Sequence, residues 1–278
     1  MNIFILMAGV TACYTITSLS DKYAASSAEF SGDEFTFLMC SSLSIFLLPV
    51  LPFLQMHCTF SWQSFAAVLL VAVCKMLEFQ MSAAVLKQLS AFELKAWMGT
   101  TLFVSYFTDV VYGADLRMSK LGCLVLAALG LVFIVRSEKE NKTDYRQIAL
   151  PLILYLASKY GYGMVIKGFT PYISSTAQLL PALVLISLVL LAKVSPRKIY
   201  RKNPRGVLTV TLARIPNAAG MLLENAVISI NLTSYSLIQP MILVTLFVIG
   251  LLHRESQTRL NLFGSILCAA GIVLFQLF

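Results

Sequence analysis

Long apolar runs, separated by short polar stretches, repeat along the whole chain. A run of roughly 20 apolar residues is long enough to cross the hydrocarbon core of a bilayer as a helix. When the runs are bounded at charge clusters and at Gly, Pro or Asn, the pattern predicts ten such helices. They cover residues 3–20, 35–54, 63–86, 92–112, 118–136, 147–167, 172–192, 206–230, 233–252 and 259–278. The sequence therefore predicts an all-α integral membrane protein with ten transmembrane helices and little chain left for a soluble domain.

Composition leads to the same class. Of the 278 residues, 58% are hydrophobic and 12% are charged, whereas soluble domains carry about 25% charged residues. This balance excludes a soluble enzyme, a nucleic-acid-binding module and a disordered chain. The net charge of +8 does not indicate nucleic acid, because membrane proteins concentrate Lys and Arg in cytoplasmic loops. The six cysteines are scattered without a C-x-x-C pair, so we expect no disulfide, metal or cofactor.

The two halves of the chain resemble each other at a nearly constant offset of 142 to 144 residues. Five helices return the chain to the opposite side of the membrane, so a second copy of such a unit must be inverted. We therefore predict two inverted five-helix repeats, 1–136 and 147–278, joined by a polar linker at 137–146. Inverted repeats with a site near the midplane are typical of secondary transporters. The matching segments are 89–94 with 232–237, 101–104 with 245–248, and 121–122 with 263–264.

The stretch from Asn225 to Phe275 carries a family resemblance. An Ala-Leu-like pair, a polar turn, a proline in mid-helix, a charged turn and a glycine-spaced last helix follow one another. These are Ala226-Val227, Leu232-Thr233-Ser234, Pro240, His253-Arg254-Glu255-Ser256, and Gly264 with Gly271. The chain resembles the EamA-like ten-helix branch of the drug/metabolite transporter superfamily. The resemblance implies a secondary transporter that works by alternating access and has both termini inside the cell.

Loop charges indicate the opposite orientation. Loops after even-numbered helices hold three basic residues, and loops after odd-numbered helices hold fourteen. By the positive-inside rule the odd loops are cytoplasmic and both termini lie outside, so the orientation stays open. We expect a multi-pass protein of the plasma membrane. The fourteen are Lys22, Lys87, Arg136, Lys139, Lys142, Arg146, Lys193, Arg197, Lys198, Arg201, Lys202, Arg205, Arg254 and Arg259.

Several ionisable residues fall inside predicted helices, where a charge is costly and marks a functional candidate. Lys75 and Glu78 lie three residues apart, on one helical face, as a pair that can neutralise itself. Lys159, Arg214 and Glu224 occupy other helices. With the repeat offset of 143, Glu78 corresponds to Met221, which is one turn from Glu224. Equivalent helices of the two halves are therefore predicted to carry a carboxylate at similar depth in the membrane.

Uncharged polar residues on the same helices could complete a cavity. The five central charges, three positive and two negative, sum to +1, and a cavity with both signs suits a small zwitterion. We therefore expect an exporter or exchanger of small polar, amino-acid-like metabolites. The candidate substrate-binding set is Lys75, Glu78, Tyr106, Lys159, Tyr160, Arg214, Asn217, Glu224 and Gln239.

Other functions remain open at this stage. One alternative is a nucleotide-sugar or organic-phosphate antiporter of the same superfamily, although Thr100 and Ile242 lie where that branch is expected to carry lysines. A second alternative is a multidrug or organic-cation exporter, which would favour a net negative cavity. We expect no enzyme, since His57 and His253 lie in loops and no catalytic motif is present. Proton coupling and ion-independent exchange are equally compatible with the sequence, as are a monomer and a homodimer.

Four glycines are predicted to have a structural role. Gly122 and Gly130 lie in the fifth predicted helix, and Gly264 and Gly271 lie in the tenth. Small residues let helices approach closely in lipid, where packing drives association. We expect these glycines to lie at helix contacts and assign them no part in a binding site.

Overall fold

The protein is helical throughout the residues that the computed structural model describes, which are 3–27, 30–53, 57–89, 94, 97–99, 101–137, 145–252 and 259–278. In these ranges, one isolated bridge between Cys58 and Ile173 is the only β-type pairing. A short 3-10 helix, Leu48–Phe53, follows the second α-helix. The α-helices of the described ranges are α1 Ile3–Ser27, α2 Gly32–Leu47, α3 Trp62–Leu86, α4 Thr101–Val111, α5 Met118–Ser137, α6 Tyr145–Phe169, α7 Ser175–Leu191, α8 Pro196–Lys202, α9 Pro204–Ile230, α10 Leu232–Leu252 and α11 Arg259–Leu277.

Six helices in the described ranges are long and apolar enough to cross a membrane. These are α1, α2 with its 3-10 extension, α3, α6, α9 and α10, and α7 makes a seventh if α8, bent away from it by 83°, belongs to the same span. The chain is therefore a multi-pass α-helical membrane protein. Each of the ten predicted spans overlaps one helix, but α4, α5 and α11 supply only shorter apolar segments. The number of crossings thus depends on those three helices.

Three predicted features fall partly outside the described residues. The structure leaves undescribed residues 138–144 of the predicted linker, most of the start of the fourth predicted span, and the charged turn at 253–258.

Local sequence explains where several helices begin. Ser31 forms a reciprocal capping box with Glu34 at the start of α2. Asn203 accepts a hydrogen bond from the backbone N–H of Gly206, and Pro204 follows it in the first turn of α9. These side chains satisfy backbone N–H groups that a helix leaves unpaired at its N-terminus.

The glycines of α5 and α11 bring these two helices together. A Cβ on Gly130 would lie 2.5 Å from the Cys268 nitrogen, and one on Gly264 would lie 2.7 Å from the Gly130 oxygen. A Cβ on Gly271 would lie 2.6 Å from the Ala127 nitrogen. The predicted close approach is confirmed at these three positions. It is wrong for Gly122, which lies on the exposed face of α5, where a Cβ would have nothing within 4 Å.

Candidate functional site

Four charged side chains from three helices meet inside the bundle. The ammonium nitrogen of Lys75 lies 2.8 Å from Oε2 of Glu78, one turn further along α3. Lys159 of α6 bridges two carboxylates, with its nitrogen 3.1 Å from Oε1 of Glu78 and 2.9 Å from Oε1 of Glu224 on α9. All four residues are buried, with at most 7% of their surface exposed. We call them the central charge chain, and their formal charges sum to zero.

Three tyrosines contact residues of the central charge chain. The hydroxyl of Tyr14 on α1 donates a 2.6 Å hydrogen bond to Oε2 of Glu224. The ring of Tyr162 lies 3.7 Å from the Lys75 ammonium, a distance at which the ring face attracts a cation. Tyr235 of α10 donates to the backbone oxygen of Lys159 at 3.0 Å. A buried charge without a partner is strongly destabilising, and here each charge has an opposite charge in contact.

A polar cavity borders the central charge chain. It offers about 70 Å³ to water, which is room for more than one water, since about 10–15 Å³ suffices for the first. The cavity reaches Leu86, the last residue of α3. Its lining combines charged, amide and hydroxyl side chains with apolar ones: Tyr14, Thr17, Ser18, Asp21, Met39, Lys75, Glu78, Phe79, Ser82, Leu86, Leu94, Tyr155, Lys159, Asn217, Met221 and Gln239.

A second ion pair lies at the cavity wall. Nη2 of Arg214, on α9, contacts Oδ1 of Asp21 near the end of α1. The Nε of Arg214 donates to the backbone oxygen of Val210 at 3.2 Å, and the residue is fully buried. Asp21 lines the cavity whereas Arg214 does not. Arg214 therefore acts on the cavity through Asp21, and the pair adds no net charge.

Asp109 joins three helices at a different point of the bundle. Its Oδ1 accepts from the backbone N–H of Leu232 at 2.9 Å and lies 2.5 Å from the ammonium of Lys167. Its Oδ2 accepts from both the N–H and the hydroxyl of Thr233, each at 2.6 Å. An acidic group stabilises a helix N-terminus because unpaired N–H groups point at it. Asp109 thus fastens α4 to the start of α10 and the end of α6, and we call these four residues the Asp109 cluster.

Loop contacts place the Asp109 cluster on one face of the molecule. The N–H of Thr59 donates to the oxygen of Tyr172 at 3.0 Å, and the N–H of Ser174 donates to the oxygen of His57 at 2.9 Å. These bonds join the loop before α3 to the loop after α6, which is the helix that carries Lys167. We call this side the closed face. The cavity extends away from it, because Leu86 is at the far end of α3, about 37 Å along a helix of 25 residues.

The structure brings most of the predicted site residues together. Five of the nine line the cavity: Lys75, Glu78, Lys159, Asn217 and Gln239. Glu224 belongs to the central charge chain, and Arg214 is held behind Asp21.

Tyr106 and Tyr160 lie outside the cavity lining. The hydroxyl of Tyr106 donates to the backbone oxygen of Arg117 at 3.1 Å and accepts from its N–H at 2.8 Å. Tyr160 instead shares a hydrogen bond with Thr108. Both tyrosines therefore hold α4 in place, because their hydroxyls are used by α4 and the loop that follows it.

One side of the cavity was missed by sequence reasoning. Tyr14, Thr17, Ser18 and Asp21 of α1 all line it. Their spacing of three, four and seven residues from Tyr14 is that of one helical face, and this polar stripe in an apolar helix was a signal that could have been used. Tyr155 and Ser82 were missed as well, although each lies four residues from a predicted site residue, Lys159 and Glu78, and so on the same helical face.

In comparison with known proteins, no family model matches the chain and no curated protein is significantly similar to it. Among the described residues, no group of three or more His, Cys, Asp or Glu side chains is placed to hold a metal ion. The function must therefore be argued from the cavity and its charges.

Proposed function

We propose that this protein is a secondary transporter that moves small polar, amino-acid-like metabolites by alternating access, as an exporter or an exchanger. The observation that carries the proposal is the central charge chain beside a polar cavity. The cavity extends toward one side of a membrane protein, while the closed face is joined by hydrogen bonds. Charged residues inside a membrane bundle are costly and mark pathways for polar solutes.

The packing of the helices supports the inverted repeat. Suppose that each helix of α1–α5 is exchanged with its repeat partner, which is α6, α7, α9, α10 or α11 in the same order. Each pair of packed helices is then replaced by another pair, and the new pair should also pack. The pair α1–α9 becomes α6–α3, and the pair α3–α7 becomes α9–α2, and all four pairs pack together. The pairs α2–α7 and α5–α11 map onto themselves and also pack. Such an exchange is expected of two inverted five-helix repeats with ten crossings.

The central contacts follow the same rule. Tyr14 of α1 bonds to Glu224 of α9, and Lys159 of α6 bonds to Glu78 of α3. The two pairs are related by offsets of 145 and 146 residues. This relation supports a substrate site where the two proposed repeats meet, which is the expected place for a substrate in such transporters.

Charge balance supports a substrate without net charge. The net charge of +1 expected from the sequence included Arg214 but not Asp21. With Asp21 added, the central charge chain and the Arg214–Asp21 pair have a net charge of zero. A cation or an anion entering this site would leave one charge uncompensated in a low-dielectric region. A zwitterion would not, since its ammonium can meet a carboxylate and its carboxylate can meet an ammonium. The site has neither the positive excess that a nucleotide sugar requires nor the negative excess that a lipophilic cation requires, so both alternatives are less well supported.

The side of the cavity suggests which state is observed. Lys87 follows α3 directly, and the basic segment Arg197–Lys202 follows α7, so the Lys- and Arg-rich loops lie opposite the closed face. By the positive-inside rule that side is cytoplasmic, which makes the cavity inward-facing. We accordingly propose that both termini lie outside, and we propose the plasma membrane as the location of the protein.

Transport by the full-length protein in liposomes tests the proposal. Vesicles loaded with a mixture of unlabelled amino acids, amines, nucleotide sugars and cationic drugs are assayed for uptake of each labelled solute in turn. We expect counterflow for one or more zwitterions, and loss of it in Glu224→Gln. The exposed Asp115→Asn serves as the matched carboxylate control and should transport normally. If folded protein moves no solute faster than protein-free vesicles, the proposal is wrong, and if it moves only nucleotide sugars or cations, the substrate class is wrong.

A further inference from the structure

Gln239 of α10 is a buried amide that the protein leaves unpaired. It is 1% exposed and lines the cavity. Neither its Nε2 nor its Oε1 has a hydrogen-bond partner in the part of the chain that the structure describes. Buried polar side-chain atoms are nearly always hydrogen-bonded, because a missing bond costs free energy. Two hydrogen-bonding atoms of one residue that faces the cavity are therefore available to a molecule inside it.

The chemistry of that molecule follows from the two free atoms. Nε2 donates and Oε1 accepts, and they belong to one planar group. A single ligand group that satisfies both presents an acceptor and a donor side by side, as a primary carboxamide does. A carboxylate offers acceptors only, and an aliphatic side chain offers neither. The neutral central charge chain, of which Lys75, Glu78 and Lys159 line the same cavity, disfavours a ligand with a net charge.

We propose that Gln239 determines specificity by pairing with a primary carboxamide, so that the ligand is a small amide without net charge, such as a zwitterionic amino acid with an amide side chain. This deepens the proposed function and rests on it for transport, though not for binding. The space of about 70 Å³ accommodates a primary carboxamide group, whose heavy atoms are C, O and N, since about 10–15 Å³ suffices for one water.

A second buried glutamine provides a matched control. Gln178 of α7 is also fully buried; its Nε2 donates to the backbone oxygen of Ile173 at 2.9 Å, and its Oε1 has no partner among the described residues. It does not line the cavity. Gln178→Leu and Gln239→Leu therefore remove the same group from the protein interior, and only the second removes it from the cavity.

Thermal-shift titration of the purified full-length protein tests the proposal. The probes are L-asparagine, L-aspartate and L-leucine, which are nearly isosteric, together with acetamide and acetate. We expect stabilisation by asparagine and acetamide but not by the other three. Gln239→Leu should weaken asparagine binding about 100-fold, tenfold for each of two lost hydrogen bonds. Gln178→Leu should leave that affinity unchanged.

Three results would overturn this inference: stabilisation by leucine equal to that by asparagine, unchanged asparagine binding in Gln239→Leu, or no stabilisation by either amide. Each is distinguishable from failure of the transporter proposal. If other zwitterions still exchange across the vesicle membrane, transport stands and the carboxamide hypothesis fails. If asparagine binds through Gln239 and no solute crosses, the site stands and transport fails.

Discussion

The central charge chain and the Asp109 cluster both have balanced charges, yet their carboxylates are bonded to different partners. Glu78 and Glu224 are held by lysine and tyrosine side chains, whereas Asp109 accepts two bonds from backbone N–H groups of α10. Side chains can exchange partners by rotating, but backbone groups move only with their helix. The first set is therefore suited to meeting a solute and the second to holding helices together.

The largest expected effect comes from removing the bridging lysine. Lys159→Met leaves Glu78 and Glu224 with Lys75 as the only positive charge of the central charge chain, so one buried negative charge loses its partner. Breaking a buried ion pair in this way costs about 3–5 kcal/mol, and we expect a matching fall in unfolding free energy and loss of transport. Denaturation in detergent measures the first, and counterflow measures the second.

A compensating change sharpens that test. Lys159→Met combined with Glu224→Gln restores a neutral set, so the double variant should be more stable than Lys159→Met alone. The interaction energy from the double-mutant cycle isolates the pairing of the two residues. If the two losses simply add, the four residues do not act as one neutral unit.

The next effect concerns the Asp109 cluster. Asp109→Asn leaves the Lys167 ammonium without its counter-charge and weakens the bonds to α10. We expect about 2–4 kcal/mol of destabilisation, the upper part of the range for losing one partner of a buried charged hydrogen bond. Melting temperatures measure it, with Asp115→Asn as control, because the Asp115 side chain is 85% exposed. The comparison between the two clusters fails if Asp109→Asn retains wild-type stability and abolishes solute binding instead.

A smaller effect on stability is expected at the α5–α11 contact, which contains no residue of the central charge chain or of the Asp109 cluster. In Gly130→Ala, the new methyl would meet the backbone of α11 at 2.5 Å, and relieving such overpacking typically costs about 1–3 kcal/mol. Gly122→Ala, on the open face of the same helix, should be neutral or slightly stabilising. Ligand affinity should be unchanged in both variants when they are measured below their melting temperatures. A change in affinity would show that the α5–α11 pair is coupled to the cavity.

The smallest predicted effect is on the edge of the central charge chain. Tyr14→Phe removes one hydroxyl from Glu224 and leaves both ion pairs of Lys159 intact. Loss of a hydrogen bond to a charged group costs about 1.5–3 kcal/mol, and water from the adjacent cavity should return part of it. We therefore expect about 1–2 kcal/mol in unfolding free energy and retained transport. Complete loss of transport with normal stability would mean that Tyr14 itself takes part in the substrate pathway.

Local features of the sequence determined much of the fold. Apolar runs predicted the helices, because in lipid the backbone must satisfy its own hydrogen bonds. The Lys75–Glu78 pair was predictable because three residues along a helix return nearly to the same face. Three of the four glycine contacts were predicted correctly. In each case the partners lie within one helix, or the requirement does not depend on which neighbour is present.

Only the tertiary structure decided how the helices meet. Lys159 contacts Glu224 across 65 residues of chain, Tyr14 contacts Glu224 across 210, and Asp109 contacts Thr233 across 124. The sequence left Asp109 without a role and Arg214 without Asp21, since neither spacing nor composition shows how each helix is rotated about its axis. That rotation is set by the packing of all neighbouring helices together. It decides which polar groups pair with each other and which, like those of Gln239, are left for a ligand.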